Sequence, residues 1–220
     1  MDKVEYNRGN YDKYNSKNPL KRKMVEQLNA KILTAMNSFV KKLSPDSTRG
    51  KSPIRILDAG CGEGFISNMI YNNIDNVEIV GLEYTSEAIN IAKQYNENIE
   101  FVQGDIYKMP FEDAAFDIVL CMEVLEHLTE PAAAIEELLR VSKNFLIITV
   151  PNEPWFCMGN LLALKNVSRL GNPIDHINHW TFGGFKKFTL NLLSSSRQRV
   201  RYDKSFPWSI AYCNKKSEVK

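Results

Sequence analysis
The 220-residue chain is predicted to fold as a doubly wound, mostly parallel α/β sheet of seven strands, with an N-terminal helix and an inserted cover segment. Three observations predict it. Between residues 53 and 150, short and almost continuously apolar runs alternate with segments of helical periodicity, as expected of parallel strands buried on both faces by crossover helices. The connections between these segments are short, which leaves few alternatives to a doubly wound sheet. Two further β-like runs, residues 200–206 and 208–213, are spaced as a closing antiparallel hairpin.

The elements follow in order. Residues 14–43 contain an amphipathic helix with Met24, Val25, Leu28, Ile32, Leu33 and Met36 on one face. Residues 43–52 (LSPDSTRGKS) form a linker by composition. The first strand is residues 53–58 (PIRILD), ending in a glycine loop, and residues 63–72 continue as a helix with Phe65, Met69 and Ile70 at helical spacing. Residues 77–82 (VEIVGL) are the second strand. A helix over 85–95 has Thr85 and Ser86 as cap candidates and turns Ile89 and Ala92 inward. Residues 99–102 and 116–122 (FDIVLCM) are strands. Pro131 opens a helix over 131–142 that carries Ile135, Leu138 and Leu139 on one face. Residues 144–150 (NFLIITV) are a strand ended by Pro151. Residues 151–182 show weak periodicity and read as an inserted loop or helical cover; residues 182–193 read as a helix. The chain divides into an N-terminal lid and helix (1–52), a cofactor-binding core (53–150), and a cover with closing strands of the same domain (151–220).

Composition narrows the class. Hydrophobic residues are 44% and charged residues 25%, which excludes a disordered tail protein, a collagen-like fibre and a disulfide mini-scaffold. No apolar run reaches the roughly 18 residues of a membrane span. The polar N-terminus lacks the apolar stretch of a signal peptide. Cys61, Cys121, Cys157 and Cys213 form no CxxC pair, so neither a zinc knuckle nor a redox pair is expected, and isolated thiols fit a reducing cytoplasm. The net charge of +2 conceals an acidic middle: residues 1–51 carry +7, residues 52–160 carry −13 and residues 161–220 carry +8. Basic flanks either offset the acidic middle or form a rim for an anionic partner.

The chemistry is expected at the carboxyl ends of the strands, where such sheets bind ligands. The loop Asp58-Ala59-Gly60-Cys61-Gly62-Glu63-Gly64 lies there. Its glycines allow a tight turn and close approach of a ligand to the backbone. Glu83, about 20 residues on, ends the second strand, where a carboxylate accepts ribose hydroxyls. Asp105, in Gly104-Asp105-Ile106, ends the third strand within reach of an exocyclic amine. Together these acids outline a nucleoside pocket. The GxGxG loop preceded by an acid disfavours pyrophosphate and suits a cationic group.

At these residues the chain resembles the class I S-adenosylmethionine-dependent methyltransferases, whose fold is a Rossmann-like seven-stranded sheet. Residues 57–65 (LDAGCGEGF) resemble their first motif. Glu83, Gly104-Asp105, Met109-Pro110-Phe111 and residues 116–119 match later ones. The resemblance covers about residues 50–150. It implies S-adenosylmethionine as cofactor: Asp58, Gly60, Cys61 and Gly62 at the methionine part, Glu83 and Tyr84 at the ribose and adenine, Asp105 and Ile106 at the adenine, Met122 and Glu123 lining the cavity. Residues 121–127 (CMEVLEH) resemble the type-11 branch and, more narrowly, ubiquinone-biosynthesis O-methyltransferases. That resemblance implies Glu123, Glu126 and His127 as ligands of a magnesium ion, although the same spacing also occurs where no metal is used.

Only three histidines are present. His176 and His179 fall in the predicted cover, in Asp175-His176-Ile177-Asn178-His179-Trp180. A hydroxyl acceptor needs a proton sink, and imidazole suits that task; His176, His179 and His127 are therefore the catalytic candidates. Trp155 and Trp180 are candidate apolar walls. The aromatic N-terminal stretch around Tyr6, Tyr11 and Tyr14 is expected to fold over the cofactor as a lid, with Tyr14 at the methionine end. The expected function is methyl transfer to a small-molecule acceptor, most readily at oxygen, with no DNA partner and with homodimerisation left open. The rivals are an RNA methyltransferase, an NAD-dependent oxidoreductase and a non-catalytic adenosyl-binding regulator.

Overall fold
The computed structural model describes residues 13–43, 52–162, 164, 166–193 and 198–215. The predicted linker and the tyrosines at positions 6 and 11 lie largely or wholly outside these residues. Helix α1 (Pro19–Leu43) precedes β1 (Ile54–Ala59), α2 (Phe65–Asn73), β2 (Val77–Glu83), α3 (Ser86–Tyr95), β3 (Glu100–Gln103) and β4 (Phe116–Met122). A 3₁₀ turn (Leu125–His127) leads to α4 (Pro131–Val141) and β5 (Ser142–Pro151). The cover contains α5 (Trp155–Leu162) and a 3₁₀ turn (Val167–Arg169); α6 (Phe182–Leu193), β6 (Arg199–Ser205) and β7 (Trp208–Asn214) complete the chain.

The seven strands form one sheet in the order β3-β2-β1-β4-β5-β7-β6. β1 through β5 are parallel, and β7 pairs antiparallel with both β5 and β6. The expected doubly wound, mostly parallel sheet is therefore present. The strand order reverses between β1 and β4, so the crevice for a ligand opens at their carboxyl ends.

Alternation along the strands explains the continuous apolar runs. Ile56, Ile118, Leu120, Ile147 and Ile210 face one core, shared with Val25, Leu28, Ile32 and Met36 of α1 and with Ile66 and Ile70 of α2. Leu57, Val119, Cys121, Leu146, Ile148 and Ala211 face the other, against Ile135 and Leu138 of α4 and Phe185 of α6. Successive side chains leave a strand on opposite faces, so a strand covered on both sides needs apolar residues throughout.

Differences from the predicted boundaries have local causes. Gly64 is left-handed at the N-cap of α2, so the helix begins at Phe65. Thr85 is the N-cap of α3 but makes no side-chain cap bond; its hydroxyl donates to Glu83 Oε1 at 3.0 Å instead. The cover holds a short helix because residues 155–162 carry no acid, proline or β-branched residue to interrupt it. No described helix is long and apolar enough to cross a membrane.

Candidate active site
The loop after β1 is a chain of left-handed turns, with φ of +79° at Gly60, +53° at Gly62 and +77° at Gly64. A Cβ at Gly60 would stand 2.4 Å from Val124 Cγ2, so glycine is required there on two grounds. The amides of Gly60 and Cys61 both donate to Leu82 O, at 2.7 and 3.0 Å, which stitches the loop to the end of β2. Gly62 N donates to Glu83 Oε2 at 3.1 Å. Thr85 N and Oγ1 donate to Glu83 Oε1 at 2.9 and 3.0 Å. A carboxylate has about four lone-pair positions, so Glu83 is fixed by three donors and retains one acceptor position on Oε2.

Asp58 is buried at the end of β1 and accepts from Ser67 Oγ at 2.6 Å. Burial pushes its carboxyl up to about 6, the Ser67 hydrogen bond opposing and the Glu83 charge adding to the rise. A buried acid held this way favours a cation beside it. A small cavity, about 20 Å³, is lined by Lys13, Tyr14, Asp58, Gly60, Cys61, Phe65, Met122 and Glu123. Tyr14 stacks on Phe65 with ring centroids 4.9 Å apart, and the Lys13 ammonium pairs with the Glu123 carboxylate. Burial works against the Lys13 charge, but Glu123, Tyr14 and Glu126 together outweigh it and hold the ammonium above its ordinary value. Lys13 also lies 5.0 Å from the ring centroids of Tyr14 and Trp208. Glu123 has φ +57°, a strained conformation for a residue with a Cβ, and its side chain lines the cavity.

The residues expected at the adenine are more open. Tyr84 is 62% exposed, and Asp105 is exposed with its Oδ1 accepting from Tyr107 N at 2.9 Å. Ile106 and Met122 are buried. Asp58, Glu83 and Asp105 stand at or just beyond the ends of adjacent strands β1, β2 and β3, each about 5 Å from its neighbour strand.

On the other side of β4, the cover docks onto the 3₁₀ turn. Ile177 N and Asn178 N both donate to Glu126 O, at 2.9 and 3.0 Å. Asn178 Nδ2 donates to Leu125 O at 3.1 Å and to Leu128 O. The docking brings His176 over the turn, with its ring 4.9 Å from His127 and 5.4 Å from Phe156. His127 Nδ1 lies 3.0 Å from Asp175 O and 3.5 Å from Asp175 Oδ2. Burial and the neighbouring His127 lower the His176 imidazole to about 4, so it is neutral at pH 7. Glu126 is fully enclosed, and burial, then the Glu123 charge, push its carboxyl well above the usual range. His179 faces elsewhere: its Nδ1 is 4.0 Å from Glu153 Oε1 and its Nε2 is 3.2 Å from Asn172 Nδ2.

Ligand atoms of Glu126, His127 and His176 lie within 4.8 Å of one another, the one such cluster among the described residues. Glu126 Oε2 and His176 Nδ1 are buried with no hydrogen-bond partner, which fits a cation they could share. Glu123, expected as a magnesium ligand, is outside this cluster because its carboxylate is paired with Lys13. Magnesium is also a poor match: two imidazoles and one carboxylate suit a transition ion, whereas magnesium prefers oxygen donors. Sequence reading did not find Lys13, Ser67 or Asn178. No periodicity or spacing marks them: Lys13 and Asn178 act across long stretches of chain, and Ser67 is one hydroxyl on α2 aimed back at Asp58 nine residues earlier.

A glycine turn at the strand-order reversal, with acids on successive strand ends, defines a nucleoside-cofactor domain of the doubly wound class. More particularly, the chain belongs to the family described as Methyltransferase domain, which it matches over residues 51–172. It is 39% identical over 104 residues to an uncharacterized methyltransferase of Schizosaccharomyces pombe, covering 42% of this chain and 37% of that one. It is 26% identical over 125 residues to the ubiquinone biosynthesis O-methyltransferase of Acinetobacter baylyi, covering 53% and 52%. The chain thus spans between about a third and a half of the length of these curated relatives. The fold matches the plantazolicin methyltransferase BpumL, solved with a desmethylplantazolicin analogue and S-adenosylhomocysteine, at a TM-score of 0.68, with 17% identity over 90% of this chain and 92% of that one.

Proposed function
We propose that the protein transfers a methyl group from S-adenosylmethionine to the hydroxyl of a small-molecule acceptor. The observation that carries this reading is the convergence of Asp58, Glu83 and the left-handed glycine turn on one edge of the sheet. Asp58 attracts the cationic methionine end. Glu83, immobilised by Gly62 and Thr85, accepts a ribose hydroxyl at its remaining Oε2 position. Tyr84, Asp105 and Ile106 border the adenine. A cavity of about 20 Å³ holds about one water, so the methionine end enters once Lys13 and Tyr14 swing outward. The name of the Acinetobacter relative supports an oxygen acceptor, and the basic flanks suit an anionic one. The free cysteines suit a reducing cytoplasm.

In-line transfer from a sulfonium asks the protein mainly for alignment. The acceptor side is formed by residues 152–155 and the 175–179 segment, with Trp155 as an apolar wall; the Trp180 ring instead stacks on Phe188 of α6, centroids 5.5 Å apart. Asp175 accepts at His127 Nδ1, which leaves the His127 Nε2 lone pair to take the acceptor's proton. A second reading is favoured by the orphaned Glu126 Oε2 and His176 Nδ1. Glu126, His127 and His176 would hold a divalent transition ion, which would supply Lewis acidity to an acceptor hydroxyl. Cobalt(II) titration tests it: a visible d–d band in the wild type, absent in His176→Ala, supports the site, and no band in either removes it.

The central test is a thermal-shift comparison. Stabilisation by S-adenosylhomocysteine and none by NAD is expected, because only a ligand bound to the native state raises the transition. Stabilisation by NAD alone replaces the reading with an oxidoreductase. Cofactor binding with no turnover across acceptor panels points to a regulator, and salt-sensitive RNA affinity points to RNA methylation.

A further inference from the structure
The cover between β5 and α6 turns its apolar residues outward. Helix α5 buries none of its residues. Trp155, Met158 and Leu162 share one face of it at i, i+3 and i+7 and are 45%, 44% and 80% exposed. Leu164 and Leu170 beyond the helix are 83% and 76% exposed. Phe206, between β6 and β7, is 56% exposed, and its ring centroid lies 6.4 Å from that of Trp155. Single exposed leucines are ordinary, but this many large apolar side chains on one short segment mark a binding surface.

Charge identifies the partner. Residues 154–174 contain Lys165 and Arg169 and no acidic residue. Lys186 and Lys187 on α6 are exposed. Lys204, two residues from Phe206, holds its ammonium 4.3 Å from the Phe182 ring centroid. The neighbouring acids are engaged: Glu153 accepts from Cys157 N at 3.1 Å, and Asp203 pairs with Lys31 at 2.9 Å. An outward apolar face containing Trp, edged by bases and free of acids, has the composition of an interfacial membrane-binding element. A second copy of the chain would bring like charges together.

We propose that this face seats the protein on the surface of an anionic phospholipid bilayer. Trp155, Met158, Leu162 and Phe206 enter the headgroup–acyl boundary while the lysines and arginines meet lipid phosphates. Asn152 N donates to Pro207 O at 2.8 Å, so the β6–β7 turn and the start of α5 stand together at the carboxyl edge of the sheet. The acceptor side of the site therefore faces the lipid. The proposal does not depend on the reaction catalysed.

The experiment is co-sedimentation of the full chain with vesicles of phosphatidylcholine alone and of phosphatidylcholine with phosphatidylglycerol. The wild type is expected to pellet with the anionic vesicles and to be released by high salt. The variant Met158→Ser/Leu162→Ser/Leu164→Ser is expected to bind at least about tenfold more weakly, with an unchanged melting temperature and unchanged S-adenosylhomocysteine binding. If it fails to fold, Leu162→Glu alone gives the same comparison from an exposed position. A vesicle-induced blue shift in tryptophan emission, lost in Trp155→Phe, locates the contact. Failure to pellet with anionic vesicles, equal binding to neutral ones, or variants binding like the wild type would each overturn the proposal. So would a concentration-dependent dimer that the same variants dissolve in the absence of vesicle binding.

Discussion

Cofactor affinity is expected to depend on pH through Asp58, and the structure sets the size of the effect. Burial raises this carboxyl from 3.8 to about 6. A shift of about two pH units corresponds to about 3 kcal/mol spent against ionising the group in place. An ammonium about 4 Å away at an effective dielectric of 20 returns about 4 kcal/mol, so a bound methionine end makes the ionised form the favoured one. Without ligand the sign is the reverse. The folded state binds the Asp58 proton more tightly than the unfolded state does, so this group's contribution to stability falls as pH rises between 3.8 and about 6. Calorimetric titration with S-adenosylhomocysteine from pH 5 to pH 8 measures it. The association constant should be flat above pH 6.5, fall by up to about tenfold per unit below pH 6, and be accompanied by proton release near pH 5.5. Asp58→Asn should bind up to about 1,000-fold more weakly at pH 7.5, where Asp58 is already ionised and the loss is the ammonium attraction of about 4 kcal/mol, and lose the pH dependence. A wild-type affinity constant across the whole range would refute the placement of a cationic group at Asp58.

Three further outcomes are expected. Gly60→Ala combines a left-handed residue with a Cβ 2.4 Å from Val124 Cγ2. It should cost about 2–5 kcal/mol of stability in urea denaturation and remove detectable cofactor binding. Lys13→Met strands the Glu123 carboxylate in a nearly closed cavity and should destabilise by about 3 kcal/mol, with Lys13→Met/Glu123→Gln recovering most of the loss. A double-mutant cycle checks this. His127→Ala should lower turnover by about 10²–10⁴-fold at saturating cofactor with little change in S-adenosylhomocysteine affinity. His179→Ala, whose ring meets Glu153 and Asn172, should stay near wild-type turnover once an acceptor is found.

The sheet was legible in the sequence because its inner strands β1, β2, β4 and β5 are largely buried on both faces and read as nearly unbroken apolar runs, whereas the edge strands β3 and β6 carry polar residues and announce themselves less. The shared position of the glycine turn and the strand-end acids was legible because a GxGxG turn after the first strand and acids closing the next strands fall at the carboxyl edge of any such sheet. The acceptor side was less so. His176 reaches Glu126 and His127 only because Asn178 ties the cover to the 3₁₀ turn, a contact between residues about 50 positions apart with no local pattern to mark it. Lys13 meets Glu123 across 110 positions, and its pairing explains why the expected metal ligand Glu123 stands apart from Glu126 and His127. Short amphipathic pieces such as α5 also escape periodicity, since a helix that buries nothing carries no inward stripe.

The anchoring of the cover has an evolutionary consequence. Its first residues are held where Glu153 N donates to Trp180 O at 2.8 Å and Phe182 N donates to Asn152 Oδ1 at 2.8 Å, and its last ones where Asn178 grips the turn after β4. Both ends of the insertion are thus clasped close together, and the stretch between them can lengthen, shorten or change chemistry while the clasp and the glycine turn stay undisturbed. A scaffold wired in this way can exchange one loop for another without disturbing the packing of the sheet beneath it.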